Sequence, residues 1–311
     1  MTRVFASDRT GVLASRRQAD DLASRFPELR VEADKVARTV AQGIHGRRRV
    51  GTGYAFWQFR PYQEGDSARE IDWRRSARSD KFFVRETEWD AAATVWLWAD
   101  LSPSMDYRSA PVKDTKLERT LVLTLALAEL LLRAGERVAL LGVNARPLGG
   151  AGALDRMTEL LLDQHDRAVK TQGQTNVPYA GSVPPRDSIP AHARLVLIGD
   201  FLAPDGTVEN AMEYYAARQA RGHLVQILDP SEEDFPFKGR VEFLGMEREG
   251  QRLVGKAESL REGYLAALAA LRERLSVTAR RLGWTFTWHR TDHSPHLALR
   301  ALYEVMAGER V

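Results

Sequence analysis

From residue 91 onward, short runs of apolar residues alternate with longer segments in which apolar residues recur at helical spacing. ATVWLWAD, RVALLGVN, ARLVLIGD and HLVQILDP are apolar on both faces and predict buried strands, and WTFTWH predicts one more. Strands separated by helices form parallel βαβ units. The pattern therefore predicts an α/β fold: a doubly wound, mostly parallel sheet with helices on both faces.

Glycines mark the expected ends and interruptions of three predicted helices. Gly135 follows the apolar helix KLERTLVLTLALAELLLRA, and Gly222 follows VENAMEYYAARQAR. Glycine is common just past a helix C-terminus because it adopts the left-handed conformation at little cost. We therefore expect both helices to stop there, and we expect the long helix over residues 257–282 to be interrupted at Gly263.

Two segments of different character precede the alternating region. Residues 1–45 carry apolar residues at helical spacing, with Pro27 as a candidate break, and residues 46–90 are rich in glycine, arginine and aromatic residues. We expect three parts: an N-terminal helical region over 1–45, an Arg- and aromatic-rich extended segment over 46–90, and an α/β domain over 91–311.

Composition excludes several kinds of chemistry. The 311 residues contain no cysteine, which rules out disulfides, zinc–thiolate sites, iron–sulfur clusters and a cysteine nucleophile. The formal net charge is only +3, which does not in itself indicate a nucleic-acid partner. We find no secretory signal and no apolar stretch long enough to span a bilayer, so we expect a cytoplasmic protein without a membrane span. No G-x-x-x-x-G-K-[ST] pattern occurs, which argues against ATP hydrolysis through a P-loop.

Polar residues stand at alternate positions where the first strand of the α/β region ends. Asp100, Ser102 and Ser104 form a D-x-S-x-S pattern, and Asp200 ends another strand. Ligands bind outside the carboxyl ends of the strands in such sheets. Carboxylate and hydroxyl oxygens are hard ligands that suit Mg²⁺ or Mn²⁺. The arrangement predicts a metal site.

A loop between the two aspartates offers one more ligand. It has the sequence TQGQTNVPYAG, in which Thr175 is the expected ligand and Thr171 the alternative. The competing interpretation is structural, because Asp and Ser are common at strand ends, where they form turns and cap helices. Two strand-end aspartates with hydroxyls between them favour the metal site.

In order and spacing, Asp100, Ser102, Ser104, Thr175 and Asp200 resemble the metal-ion-dependent adhesion site of von Willebrand factor A (vWA) domains. Upstream lies the segment RPYQEGDSAREIDWRRSARSDKFFVRETE, with Arg60, Tyr62, Gly65, Asp66, Arg69, Ile71, Asp72, Trp73, Ser76, Ala77 and Arg78. These positions are similar to the hallmark of the DUF58 family. LDPSEEDFPF, residues 228–237, is similar to that family as well.

The resemblance covers residues 40–300 and implies a vWA-like, Rossmann-like fold, a Mg²⁺ site and a partnership with MoxR-type AAA+ ATPases. One departure is local. Many vWA domains have Thr-Asp-Gly at the second aspartate, whereas this chain has Gly199-Asp200-Phe201. Because the carboxylate is kept and its neighbours are not, direct binding and binding through water are both open for Asp200.

We expect a binding protein rather than an enzyme. The protein ligands fill most of the metal shell, and a carboxylate from a client protein would complete it, so that the chain acts as an adaptor in chaperone-like assembly beside the ATPase. A metal-dependent hydrolase is the alternative. It needs a general base near a metal-bound water, for which Asp106 is the nearby candidate.

The segment before the α/β domain has its own candidate roles. Residues 43–63 interleave arginines with aromatics, as surfaces that bind single-stranded nucleic acid do. We favour packing of these aromatics onto the α/β domain, with a protein interface as a further option. Ion pairs between the aspartates and arginines of GDSAREIDWRRSAR are expected to fix its geometry. A partner-binding or structural role is therefore assigned to Arg60, Tyr62, Asp66, Arg69, Asp72, Trp73 and Arg78.

Overall fold

The computed structural model describes residues 2–3, 11–44, 56–62, 71–77, 79, 81–87, 93–143, 146–171, 181–204, 206–246 and 250–308. Thr175, Asp66, Arg69 and Arg78 lie outside these residues, and so does part of the segment 43–63. Arg60 lies in a described strand and Thr171 ends a described helix, but the description there does not extend to their side chains.

The elements follow one another largely as the periodicity predicts. In chain order they are β1 (Thr2–Arg3), α1 (Gly11–Ile44), β2 (Phe56–Pro61), α2 (Trp73–Ser76), β3 (Phe83–Thr87), β4 (Thr94–Ala99), α3 (Lys116–Arg133), β5 (Arg137–Leu140), α4 (Ala153–Thr171), β6 (Arg194–Gly199), α5 (Thr207–Ala216), β7 (Arg221–Leu228), α6 (Pro230–Asp234), β8 (Val241–Leu244), β9 (Gln251–Val254), α7 (Arg261–Arg281), β10 (Thr285–Arg290) and α8 (Pro295–Gly308).

Five strands form the central sheet, in the order β10-β7-β6-β4-β5, and each neighbouring pair is parallel. The predicted mixed α/β fold with a mostly parallel sheet is confirmed. Two smaller sheets lie outside it. β8 and β9 form an antiparallel hairpin with β1 alongside β8, and β2 pairs antiparallel with β3.

Alternate residues of the strands face two separate hydrophobic cores. Leu97 and Val196 belong to a core that also takes buried residues from α1, α3, α4 and α8. Trp98 and Leu197 face the opposite way, into a core completed by α5 and α7. Because both faces of the sheet are covered, the strands read as continuous apolar runs in the sequence.

The predicted helix signals hold at one position and fail at three. Gly135 follows α3 at φ 81 as expected, but α1 continues through Pro27 and α7 continues through Gly263. Gly222 was the wrong stop for α5. That helix ends at Ala216, and Gly222 lies inside β7.

The first helix shares the core of the α/β region. Buried residues of α1 between Leu29 and Val40 pack in the same core as α3. None of the helices in the described ranges is both long and apolar enough to cross a membrane.

Candidate functional site

The carboxyl edge of the central sheet has its topological switch point at β4. The chain leaves β4 for β5 on one side and later returns to form β6 on the other. Asp100 follows β4 directly and Asp200 follows β6, and the Asp100 backbone N–H donates to the Ile198 carbonyl at 2.8 Å. Both predicted carboxylates therefore lie at the edge where ligands bind to such sheets.

The chain leaving β4 brings the predicted hydroxyls together. The Ser102 backbone N–H donates to Asp100 Oδ1 at 2.9 Å, and a 3₁₀ turn over Pro103–Met105 follows. The turn places Ser104 Oγ 3.0 Å from Ser102 Oγ. Asp100 and Ser102 are buried and Ser104 is half-buried, so one carboxylate and two hydroxyls converge in a site largely shielded from bulk water.

Gly199 makes this close approach of the two strand ends possible. A Cβ at position 199 would lie 2.8 Å from Asp100 Cβ and 3.1 Å from both Asp100 Oδ2 and the Trp98 ring. Contacts of 2.8 Å are sterically forbidden, so a side chain here would displace Asp100. The residue before the second aspartate is therefore fixed by the position of the first.

A buried lysine, which the sequence did not single out, occupies the same edge. Lys116 is the first residue of α3 and is only 1% exposed. Its ammonium lies 2.8 Å from Asp200 Oδ2 and 2.6 Å from Glu232 Oε1. Burial on its own lowers the pKa of Lys116, but the two carboxylates outweigh it and raise that pKa above its ordinary value. Lys116 is therefore a permanent cation in the site.

A third buried aspartate, Asp229, directly follows β7. Asp229 caps α6, where it accepts from the Ser231 N–H at 2.8 Å and the Ser231 hydroxyl at 2.7 Å, and its backbone N–H donates to Glu232 Oε2 at 2.8 Å. Burial raises the pKa of Glu232, and Lys116 partly offsets that rise. The capping box thus fixes Glu232 against Lys116.

Gln226 links the second strand end to the helices behind it. Its side-chain amide donates to the Asp200 carbonyl at 2.9 Å, and its Oε1 accepts from Arg272 at 2.9 Å. Arg272 in turn pairs with Glu233 at 2.6 Å. These buried contacts hold the backbone of Asp200 in place.

The donor set fits a hard cation in part. Asp100, Ser102 and Ser104 present the oxygen types that Mg²⁺ and Mn²⁺ prefer. Asp200 fits less well than Asp100 as a direct ligand, because its carboxylate pairs with the Lys116 ammonium, whose positive charge would repel a metal ion. Within the described ranges, no three His, Asp or Glu side chains come together as a metal-binding group, so any site here depends on the hydroxyls.

A cavity of about 410 Å³ adjoins the site. Its polar end includes Ser104, Lys116, Asp200 and Glu232, and its walls are mainly apolar and aromatic. The volume lies within the range of protein sites that bind small ligands or side chains.

The hallmark residues within the described ranges have structural or surface positions. Asp72 is the N-cap of α2, where it accepts from the Arg75 N–H at 2.9 Å. Tyr62 is 37% exposed and Trp73 is 61% exposed, with the Trp73 ring edge-on to exposed Phe82. The packing of the aromatics onto the α/β domain stays a prediction.

Sequence reasoning missed Lys116, Asp229 and Glu232. A signal existed for Asp229, because it too follows a predicted strand, HLVQILDP, as Asp100 and Asp200 do. Nothing comparable marked Lys116, since a lysine at a helix start is usually solvated.

Comparison with known proteins gives a family but no assigned activity. A family model described as "Protein of unknown function DUF58" matches residues 58–274. The chain is 28% identical over 284 residues to Uncharacterized protein Rv1480 of Mycobacterium tuberculosis, which covers 87% of this chain and 85% of that protein. Uncharacterized protein Mb1516 of Mycobacterium bovis gives the same figures.

Two solved structures align over much of the chain at low similarity. The conserved hypothetical protein BatB from Bacteroides thetaiotaomicron is 13% identical, with a TM-score of 0.36, and covers 70% of this chain and 100% of that one. An aerotolerance-related membrane protein from Bacteroides fragilis is 14% identical, with a TM-score of 0.37, and covers 68% of this chain and 98% of that one.

Proposed function

This chain belongs to the DUF58 family, and we propose that it is a metal-dependent protein-binding adaptor with a vWA-like fold. Asp100, Ser102 and Ser104 would hold Mg²⁺ or Mn²⁺ at the carboxyl edge of β4. One observation carries the proposal. The buried carboxylate of Asp100 is followed by the hydroxyls of Ser102 and Ser104, whose oxygens lie 3.0 Å apart, at the switch point of the sheet.

The charge balance of the edge supports a bound cation. Asp100, Asp200 and Asp229 are buried and Glu232 is largely so, and the buried Lys116 pairs with two of these four, Asp200 and Glu232. Buried charges are costly unless they are compensated. A divalent cation beside Asp100 would add positive charge at an edge that gathers several buried carboxylates.

The protein side chains divide the work at this edge. Asp100 would supply the negative charge and Ser102 and Ser104 neutral oxygens, whereas Asp200 remains paired with Lys116. Thr175 remains a predicted ligand. The bound cation would supply an open coordination position for an oxygen of a partner protein.

Binding is favoured over hydrolysis because the neighbouring carboxylates are already engaged. Asp200 and Glu232 hold Lys116, and Asp229 caps α6. A general base must be able to accept a proton from a metal-bound water, and none of these three is placed to do so without breaking a buried contact. Asp106, the base expected for a hydrolase, ends the 3₁₀ turn over Pro103–Met105 and remains the candidate for that alternative. The site is therefore suited to an acidic residue of a client protein.

The partner class follows from the hallmark resemblance. We propose that the adaptor works beside a MoxR-type AAA+ ATPase in chaperone-like assembly or maturation of a protein complex. The exposed aromatic pair of Trp73 and Phe82 gives the hallmark segment a surface of the kind that protein interfaces use.

A metal titration tests the site. Unfolding of the purified protein is followed in EDTA and in rising Mg²⁺ or Mn²⁺, for wild type, Asp100→Ala and a control, Asp163→Ala, whose carboxylate is exposed on α4. At a hundredfold excess over Kd, a ligand that binds the folded state stabilises it by about 2.7 kcal/mol. Wild type and the control should gain this stability, and Asp100→Ala should not. A wild type that does not respond to metal, or an Asp100→Ala variant that responds equally, contradicts the site.

A pull-down tests the partners. The tagged chain is used to capture proteins from its native lysate in Mg²⁺ and in EDTA, and the proteins retained are identified by mass spectrometry. We expect a MoxR-type ATPase and a client, with the client lost in EDTA and with Asp100→Ala. Identical captures under all conditions would contradict a metal-dependent adaptor.

A further inference from the structure

The cavity beside the candidate metal site has an aromatic wall built from separate elements. Phe235 and Phe237 lie in the connection between α6 and β8, Phe243 belongs to β8 and Tyr264 to α7. Their ring centroids form a continuous cluster, with 4.9 Å from Phe235 to Tyr264 and 5.5 Å from Phe237 to Phe243. The wall is a surface that an apolar group can contact from several sides.

The aromatic cluster is held at the cost of backbone strain. Phe235 has φ 44, in the left-handed region that bulky residues rarely adopt. Such conformations persist where the surroundings fix them, and they are frequent at ligand sites. The strained residue is also the centre of the cluster, because it contacts Phe237, Phe243 and Tyr264.

The β8–β9 hairpin turns one face toward the cavity and the other away. Phe243 and Arg252 are cross-strand partners, and both line the cavity. The neighbouring pair, Glu242 and Leu253, alternates to the opposite face, and Leu253 is 51% exposed. Phe243 and Arg252 thus close the cavity from a hairpin that lies outside the central sheet, and Leu244 at the end of β8 lines it as well.

Hydrogen-bond donors stand at both ends of the apolar wall. At the inner end, Lys116 gives two of its N–H groups to Asp200 and Glu232, and the third has no acceptor among the described residues. Burial raises the pKa of Tyr264, and the charge of Glu232 raises it further, so its hydroxyl remains a donor. At the outer end, Arg252 is exposed and places a guanidinium at the opening. These donors suit an occupant that carries oxygen acceptors beside an apolar group.

We infer that this cavity binds a segment of the partner protein in which a large apolar side chain lies next to an acidic residue. The apolar side chain fills the aromatic wall, and the acidic residue reaches the edge formed by Ser104 and Lys116. This inference rests on the proposed adaptor function and specifies what kind of client it recognises.

The geometry favours this occupant over a lone carboxylate. Ser104 belongs both to the candidate metal site and to the lining of the cavity, so the two are continuous. A carboxylate alone would leave the aromatic wall in water. Adding a phenylalanine- or leucine-sized group buries that wall, which contributes about a tenfold or larger gain in affinity.

A displayed peptide library tests the inference. Short peptides with one fixed aspartate and randomised flanks are selected on the full chain in Mg²⁺, and again in EDTA. The variants are Phe243→Ser, which faces the cavity, and Leu253→Ser, its control on the opposite face of the same hairpin. Phe237→Ala, from a different part of the wall, replaces Phe243→Ser if that variant does not fold.

The expected result is enrichment of Phe, Leu, Ile, Met or Trp next to the aspartate with wild type and Leu253→Ser. Binding of a selected peptide should weaken about tenfold or more with Phe243→Ser or Phe237→Ala. Selected flanks without an apolar preference, an unchanged preference in the cavity variants, or no binders at all would overturn the inference.

The EDTA arm separates this inference from the adaptor proposal. Apolar preference that survives EDTA and Asp100→Ala supports the cavity and contradicts the metal-dependent function. Metal-dependent binding of peptides that show no apolar preference beside the aspartate supports the metal-dependent function and contradicts the inference about the cavity.

Discussion

The ammonium of Lys116 lies 2.8 Å from the carboxylate of Asp200, and this pair is buried at the edge where a metal was predicted. Both side chains are only 1% exposed. A resident cation therefore already compensates the second strand-end carboxylate, and Asp100 is left as the carboxylate best placed for a metal. The central feature of the site is that its two aspartates differ: Asp200 is paired with Lys116, whereas Asp100 is followed by the hydroxyls of Ser102 and Ser104.

Replacing Lys116 with methionine should destabilise the protein strongly in EDTA. The substitution leaves Asp200 and Glu232 buried without their cation, and breaking such a pair by removing one partner costs about 3–5 kcal/mol. Urea unfolding measures the loss. Lys113→Met, at an exposed position, should leave the free energy of unfolding nearly unchanged.

The same variant tests whether a metal can take the place of the ammonium. In Lys116→Met, both strand-end aspartates become available, so Mg²⁺ or Mn²⁺ should recover more stability than it adds to wild type. A variant that is as stable as wild type in EDTA would show that the buried pair does not hold the site together.

Gly199→Ala should disturb the site through sterics alone. The added Cβ would approach Asp100 Cβ at 2.8 Å and the Trp98 ring at 3.1 Å. Overpacking of this kind costs about 1–3 kcal/mol, and the displacement of Asp100 should weaken the response to metal. Gly263→Ala is the matched control, because its Cβ meets open space in α7. A helical Gly→Ala change there should stabilise by about 0.5–1 kcal/mol. Equal unfolding free energies for the two variants would contradict the steric argument.

The sheet was predictable because its strands are buried on both faces and its helices follow a separate period. Strand-end positions also carried the first part of the site, since Asp100 and Asp200 had to meet at one edge if β4 and β6 were parallel neighbours. The sheet and the meeting of these two aspartates could be predicted because both depend on chain order and periodicity, which can be read from the sequence directly.

Lys116 and Gly222 show where sequence reasoning ends. Burial of Lys116 depends on Glu232, which is 116 positions away, and no local pattern links the two. Gly222 looked like a helix stop, but a Cβ there would lie 2.1 Å from the Trp284 ring. Gly222 is needed because the Trp284 ring packs directly against β7 at this position. Trp284 directly precedes β10, so the requirement comes from a residue far away in the sequence.

Asp72→Ala should loosen the hallmark segment. Asp72 caps α2 through the Arg75 N–H, its own N–H donates to the Phe83 carbonyl at 2.8 Å, and Ser76 Oγ donates to its carbonyl at 2.8 Å. Loss of an N-cap side chain costs about 1 kcal/mol. Amide hydrogen exchange at Arg75 and Phe83 should therefore become faster. Asp72→Ser retains an acceptor and should stay close to wild type. Unchanged exchange in Asp72→Ala would contradict the capping role.

His289→Gln should reduce the decrease in the free energy of unfolding that occurs as the pH is lowered. His289 is 5% exposed in β10, and burial together with the charge of Arg119 lowers its pKa from 6.5 to about 3. The folded state therefore keeps it neutral, whereas the unfolded chain takes up a proton below pH 6.5. Its contribution to stability is complete above pH 6.5 and is lost as the pH falls toward 3, at about 1.4 kcal/mol per pH unit.

Urea unfolding at pH 7 and pH 5 measures this difference between wild type and His289→Gln. Wild type should lose about 2 kcal/mol more than the variant between the two pH values. Glutamine can still accept from Arg119, whose guanidinium lies 3.4 Å from His289 Nε2. Groups common to both proteins cancel in the comparison, and His296→Gln, on the exposed side of α8, should behave as wild type. Equal losses for wild type and His289→Gln would mean that the buried imidazole is protonated in the folded state as readily as in the unfolded chain.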